Sequence, residues 1–125
     1  MNDDVTQNLI HALVDNLSGA HDDWDSLAMV LTFKTGRLSG THGYAYSANG
    51  EVSAVASRPS AVTPAVMSYL ASRYKPDELL PCSLLVQYSR ESGKYDVTFE
   101  DTDSTRWSVT PANLDAMREE LKPSL

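Results

Sequence analysis

KYDVTFEDTDSTRWSV, residues 94–109, is the stretch from which the rest of the chain is read. KYDVTFE has the alternation of a strand, DTDS reads as an acidic turn, and TRWSV reads as the returning strand. Successive strand side chains point to opposite faces, so Tyr95, Val97 and Phe99 share an apolar inner side. Asp96, Thr98 and Glu100 share the other side, and Asp101 and Asp103 in the turn continue that row of carboxylates toward water. The hairpin therefore supplies core and negative surface together, and no obvious catalyst. From these residues the expectation is a protein that binds something basic rather than one that transforms a substrate.

Working outward, the 125 residues are enough for one domain with a core of its own, and 42% apolar composition fits an ordinary globular chain. There are 17 acidic and 10 basic residues, a formal charge of −7. Such a field disfavours nucleic acid and favours a cationic partner. The acid lies at both ends of the sequence. Residues Met1 to Phe33 hold six Asp and no Lys or Arg, the middle to Arg90 is net +3, and Glu91 to Leu125 is net −4. A single cysteine, Cys82, allows no internal disulfide and suits a reducing, cytoplasmic setting. MNDDVTQ lacks the charged-then-apolar pattern of a signal peptide, and no apolar run approaches the roughly 20 residues that span a bilayer, so no membrane role is expected.

Before the hairpin, Asp3 to Leu17 has Val5, Leu9, Ile10, Leu13, Val14 and Leu17 at helical spacing, with Asn2, Asp3 and Asp4 placed to cap it and Gly19 to stop it. HDDWDS follows as a short acidic loop with Asp22, Asp23 and Asp25 around Trp24. Ser26 to Lys34 alternates as a strand, KTGRLSGTHG reads as a glycine-rich turn, and Gly43 to Ser47 is a second strand. Asn49-Gly50 signals a type I′ hairpin into a third strand, Glu51 to Ser57. Thr63-Pro64 opens a second helix, with Val66, Met67, Leu70 and Tyr74 on its buried side and Pro76 at its end. Leu84 to Ser89 is a fourth strand, turned by Glu91-Ser92-Gly93 into the central hairpin. Thr110-Pro111 then starts a last helix with Leu114, Met117 and Leu121 inward and Pro123 as its stop. The expected fold is α+β: a two-layer domain, one antiparallel sheet of five or six strands with helices on one face, in the order α-β-β-β-α-β-β-(β)-α, filling residues 1–125.

Sites for chemistry are sparse. His11, His21, His42 and Cys82 have no zinc spacing, so no metal and no other cofactor is expected. No serine lies in a nucleophile elbow, and Cys82 between Pro81 and SLLV reads as an inert thiol. The glycine-rich KTGRLSGTHG lacks the Lys-Ser/Thr ending of a phosphate loop. Asp96 and Glu100 lie roughly 13 Å apart along one strand, beyond the 5–9.5 Å of a glycosidase pair. Without a catalytic residue to name, the candidate contact residues are Asp22, Asp23, Trp24, Asp25, Asp96, Glu100, Asp101, Asp103 and Trp107, the carboxylates meeting cationic groups and the tryptophans anchoring a desolvated centre.

The run FEDTDSTRWSVTPANLDAMREELKP resembles the end of the YezG-like bacterial immunity (antitoxin) proteins, in which a strand, an acidic turn, a tryptophan strand, a Thr-Pro cap and a closing helix follow in that order. GYAYSANGEV, and WDSLAMVLTF behind a first helix, are also similar, so the order of elements is shared over nearly the whole chain. CSLLVQYSRESGKYDV departs from the pattern by carrying no tryptophan. The resemblance implies a cytoplasmic protein that binds and neutralises a cognate toxin domain, commonly a basic nuclease, one to one, as in contact-dependent inhibition and polymorphic toxin systems. It brings no catalytic residues with it, and toxin contacts in that family differ from member to member. Two other readings stand beside it: a small ligand-binding protein or hydrolase with a carboxylate-lined pocket, and a chaperone or adaptor for a secreted effector.

Overall fold

The run Leu27 to Leu31 is apolar at five consecutive positions, so a strand through it must be covered on both faces. In the computed structural model, which describes residues 2–19, 24–34, 37–47, 49–73, 81–101, 107 and 110–122, this run is the middle of the sheet. The elements are α1 (Asn2–Asp15), β1 (Leu17–Ser18), β2 (Trp24–Lys34), β3 (Arg37–Ser47), β4 (Val52–Ser57), α2 (Pro59–Arg73), β5 (Ser83–Ser89), β6 (Tyr95–Glu100) and α3 (Leu114–Glu120). The six strands lie in the order β1-β4-β3-β2-β5-β6 and pair antiparallel throughout. The α+β class and the antiparallel sheet are as expected from sequence. No described helix is long and apolar enough to cross a membrane.

The placement of the helices is more divided than a one-sided arrangement. Leu27, Met29 and Leu31 of β2 pack with Leu9, Ile10 and Leu13 of α1 and with Val62, Val66, Tyr69 and Leu70 of α2. Ala28 and Val30 point the other way, into a second cluster with Tyr44, Tyr46, Leu85, Trp107, Met117 and Leu121. α3 therefore covers the face opposite α1 and α2. The reason is the strand itself, since each buried Leu- or Val-sized side chain contributes about 1.5–3 kcal/mol only if its own face is dry.

Local boundaries show why several expectations moved. α1 stops at Asp15, where Asn16 sends both its main-chain and side-chain N–H to the Ala12 carbonyl, at 3.2 and 2.9 Å. Leu17 and Ser18 then leave to pair with Ser57 and Ala56 of β4, an edge pairing that sequence spacing did not reveal. β2 begins at Trp24, two residues early. β3 occupies most of the glycine-rich stretch expected as a turn, because Gly43 sits in the ladder between Met29 and Val55. A Cβ at Gly43 would run into the Ala28 carbonyl and the Met29 backbone, so this glycine permits close strand approach rather than a bend.

Asn49-Gly50 does make a hairpin, but in another register. Ser47 N–H bonds the Glu51 carbonyl at 2.8 Å, Gly50 at φ +92° returns its N–H to Ser47, and Asn49 Oδ1 accepts the Glu51 N–H. That is a loop with a single left-handed glycine at its end, not a two-residue I′ turn. α2 starts at Pro59 rather than Thr63, with the Arg58 carbonyl accepting from Ala61 and Val62. Pro64 is tolerated inside the helix because the carbonyl it fails to bond belongs to exposed Ser60. The β5–β6 turn closes as expected, through Gly93 at φ +73° bonding the Ser89 carbonyl.

The returning strand is different. Of TRWSV only Trp107 is described; it is not in a strand, and its carbonyl is bonded to His42 Nε2 at 2.9 Å. His42 lies on β3, three strands in from β6, so Trp107 sits on the α3 face of the sheet and not beside β6. α3 itself begins at Leu114; Thr110 and Asn113 form a turn, Thr110 N–H to Asn113 Oδ1 at 2.7 Å, where a Thr-Pro cap was expected. The expectations for Tyr74, Pro76 and Pro123 lie outside the described residues.

Gly43→Ala is expected to lower unfolding stability by about 3 kcal/mol or more, since two backbones must separate to admit the methyl. Gly50→Ala, in open space, costs only the left-handed conformation, about 1 kcal/mol. Urea denaturation of the two variants side by side measures the difference.

Candidate functional site

The alternation along β6 sets where its acids point. Asp96, Thr98 and Glu100 stand opposite Gln87, Leu85 and Ser83 of β5. Leu85 belongs to the cluster under α3, so this row lies on the α3 side of the sheet. Tyr95, Val97 and Phe99 pack against the α1/α2 cluster, as the pattern of the stretch required. Asp96 is exposed and Glu100 half-buried; the Asp96 carboxylate accepts the Thr98 hydroxyl at 3.5 Å and, among the described residues, meets no cation. Asp101 is exposed at the strand's end, and its carbonyl accepts the Cys82 thiol at 3.3 Å.

α3 brings a second group of acids to the same side. Met117 and Leu121 turn inward, leaving Asp115, Glu119 and Glu120 exposed. Two sheet side chains hold the helix by its carbonyls: Tyr46 Oη donates to Arg118 O at 2.7 Å, and Gln87 Nε2 donates to Leu121 O at 2.9 Å. These bonds lay α3 across the sheet from β3 to β5, next to the strand that carries Asp96. Among the described residues, five carboxylates of β6 and α3 thus share this side with the cations Lys94, Arg118 and Lys122. Burial holds the Tyr46 phenol far above its ordinary value of 10.0; Tyr44 and Glu119 add to this and Arg118 opposes it. The hydroxyl accordingly remains a donor to α3 over the whole neutral range.

The other candidate residues are not gathered there. Asp22, Asp23 and Asp103 lie outside the described residues. Trp24 is 8% exposed and belongs to the α1/α2 cluster, whereas Trp107 is 3% exposed on the opposite face. The two tryptophans cannot serve one interface, and neither projects outward. Trp24 sits edge-on to Tyr88 at 6.3 Å, with the Arg90 guanidinium 4.6 Å above its ring. Arg90 is tied down further, its backbone N–H to the Asp25 carbonyl at 2.8 Å and a guanidinium N–H to the Trp24 carbonyl at 3.1 Å. Asp25, half-buried, thus takes part through its backbone. An arginine stacked on an indole is a favourable cation–π contact, and here it is spent within the molecule.

Sequence reasoning missed Tyr46, Gln87, His42 and Arg90. Tyr46 had been assigned only a strand face; nothing local marks a tyrosine or glutamine as the partner of a carbonyl more than thirty residues away. No group of three His, Cys, Asp or Glu able to hold a metal occurs among the described residues. The cavity beside Trp24 contains one carboxylate, Asp15, and no carboxylate pair. No protein-family model, curated protein or solved structure matches this chain.

Tyr46→Phe is expected to cost about 1 kcal/mol at pH 8, the usual net contribution of one hydrogen bond. Its pH dependence has a definite sign. Above about pH 10 an unfolded tyrosine ionises while the folded hydroxyl stays protonated, so the wild type loses stability as pH rises. The gap between wild type and Tyr46→Phe therefore narrows from pH 9 to pH 11, as read from urea midpoints.

Proposed function

We propose that this protein is an immunity protein that binds a basic toxin domain, of the nuclease kind, and neutralises it through the acidic side formed by β6 and α3. The observation that carries this reading is that Asp96 of β6 and Asp115, Glu119 and Glu120 of α3, from two separate elements, stand exposed on the same side of the sheet. Like charges gathered on one surface repel one another and lower the stability of the monomer. A cationic partner relieves that repulsion on binding. A nuclease must itself present a basic surface to phosphates, and an acidic protein can occupy that surface in their place.

The resemblance of the C-terminal run to YezG-like immunity proteins supports the same reading, as does the lack of any catalytic grouping in the sequence. On this view the complex is one to one, forms in the cytoplasm, and needs no cofactor. The acidic groups act mainly on the rate of encounter.

The test is co-expression with the toxin domain encoded beside this protein's gene. Cells survive with the wild-type protein; equal killing with and without it removes the proposal. In purified form, the double variant Asp96→Lys, Glu119→Lys is expected to slow association by about tenfold or more in low salt, with a smaller change in dissociation. The difference shrinks as the Debye length falls toward about 8 Å at 0.15 M salt. Association rates indifferent to both salt and these substitutions would place the contact elsewhere.

A further inference from the structure

The corner where α1 passes over the starts of β2 and the end of β5 leaves an open cavity of about 160 Å³. Ile10 and Val14 of α1 form one wall, and the rings of Trp24 and Tyr88 form the other. Ile10 and Trp24 are buried, at 3% and 8% exposure, so the floor is dry and apolar. His11, Asp15 and Arg90, all exposed, stand at the rim. The cavity lies with the α1/α2 cluster, on the face away from α3, and so is separate from the acidic side described above.

We propose that this cavity is a binding site for a single uncharged aromatic ring of phenol or indole size. The volume is the first argument: an apolar cavity of roughly 150 Å³ accommodates benzene, while drug-sized ligands need about 300 Å³ or more. Wall chemistry is the second. Trp24 and Tyr88 both line the cavity, with ring centroids 6.3 Å apart, so the wall is aromatic as well as apolar, and aromatic rings pack favourably on one another. The rim supplies the third argument. It carries one cation, Arg90, and one carboxylate, Asp15, so the charges at the entrance select neither sign, while a charged ring gives up hydration against the apolar floor. A neutral ring avoids that cost, and a hydroxyl or indole N–H on it has His11 and Asp15 within the rim as partners. The walls are also held before any ligand arrives, because Arg90 is pinned over Trp24 by its two bonds to the backbone of Trp24 and Asp25. Pre-set walls reduce the ordering cost of binding, which for a ligand of so few atoms decides whether it binds at all.

The experiment is a titration of the full-length protein followed by heteronuclear NMR, with p-cresol and indole as neutral probes and benzoate and benzylammonium as charged ones. Saturable shifts centred on Ile10, Val14, the Trp24 indole N–H and Tyr88 are expected, with both charged rings weaker by at least about fivefold. N-acetyltyrosinamide forms a separate arm: binding comparable to p-cresol assigns the ring to a polypeptide, and loss of binding assigns it to a free small molecule. Val14→Phe, which fills the cavity from the half-buried side of α1, is expected to weaken p-cresol by about tenfold while Gly43 and other distant amide signals stay in place. The charge series on the unaltered protein decides the matter if that variant does not fold. Shifts that never saturate, that scatter away from this corner, or that are as large for charged rings as for neutral ones overturn the proposal. None of these outcomes depends on the toxin-binding reading.

Discussion

The architecture rests on the two-sided burial of β2. Leu27, Met29 and Leu31 on one side and Ala28 and Val30 on the other are all at most 1% exposed, so the strand has no wet face. A sheet built around such a strand needs cover above and below. α1 and α2 supply one cover and pack against each other as well as on the sheet. Among the described residues, the second cover is the segment carrying Trp107 and α3.

That segment is short, and a seven-residue helix has little stability of its own. It is held instead by its side chains Trp107, Met117 and Leu121 and by three polar groups reaching up from the sheet. His42, Tyr46 and Gln87 bond the carbonyls of Trp107, Arg118 and Leu121. Main-chain carbonyls are present at every position, so this attachment constrains the path of the segment more than its outward-facing sequence. The exposed positions of α3 are consequently free to carry charge. Asp115, Glu119 and Glu120 use that freedom, and the docking puts them on the same side of the sheet as the carboxylate row of β6. The α3 part of the acidic side is thus a consequence of covering β2, whereas the β6 row comes from the alternation of its own stretch.

The aromatic residues tell a related story. A tryptophan flanked by acids in sequence can belong either to an interface or to the core. Trp24 and Trp107 both went to the core, on opposite faces of the sheet. Arg90 completes the covering of Trp24 by lying on its ring, and in doing so leaves the small cavity under α1 with one positive and one negative group at its mouth.

Much of this could be read from local pattern. Period-two alternation gave β6 its apolar and acidic sides, glycines at Gly50 and Gly93 marked both turns, and helical spacing found α1 and, on α2, Val66 and Leu70 but not Val62 or Tyr69. Those signals are local because strand pleat and helix pitch act on neighbours in sequence. The extent of β3 escaped, since a glycine needed for close strand approach looks like one needed for a turn until the opposing strand is known. The amino-acid order by itself determined the α+β class, the antiparallel pairing and the carboxylate row. Only the tertiary structure decided that α3 and Trp107 lie on the far face and that the acids of β6 and α3 share it. Those outcomes depend on which face of β2 is still uncovered when the other elements are in place, and no stretch of sequence contains that information alone.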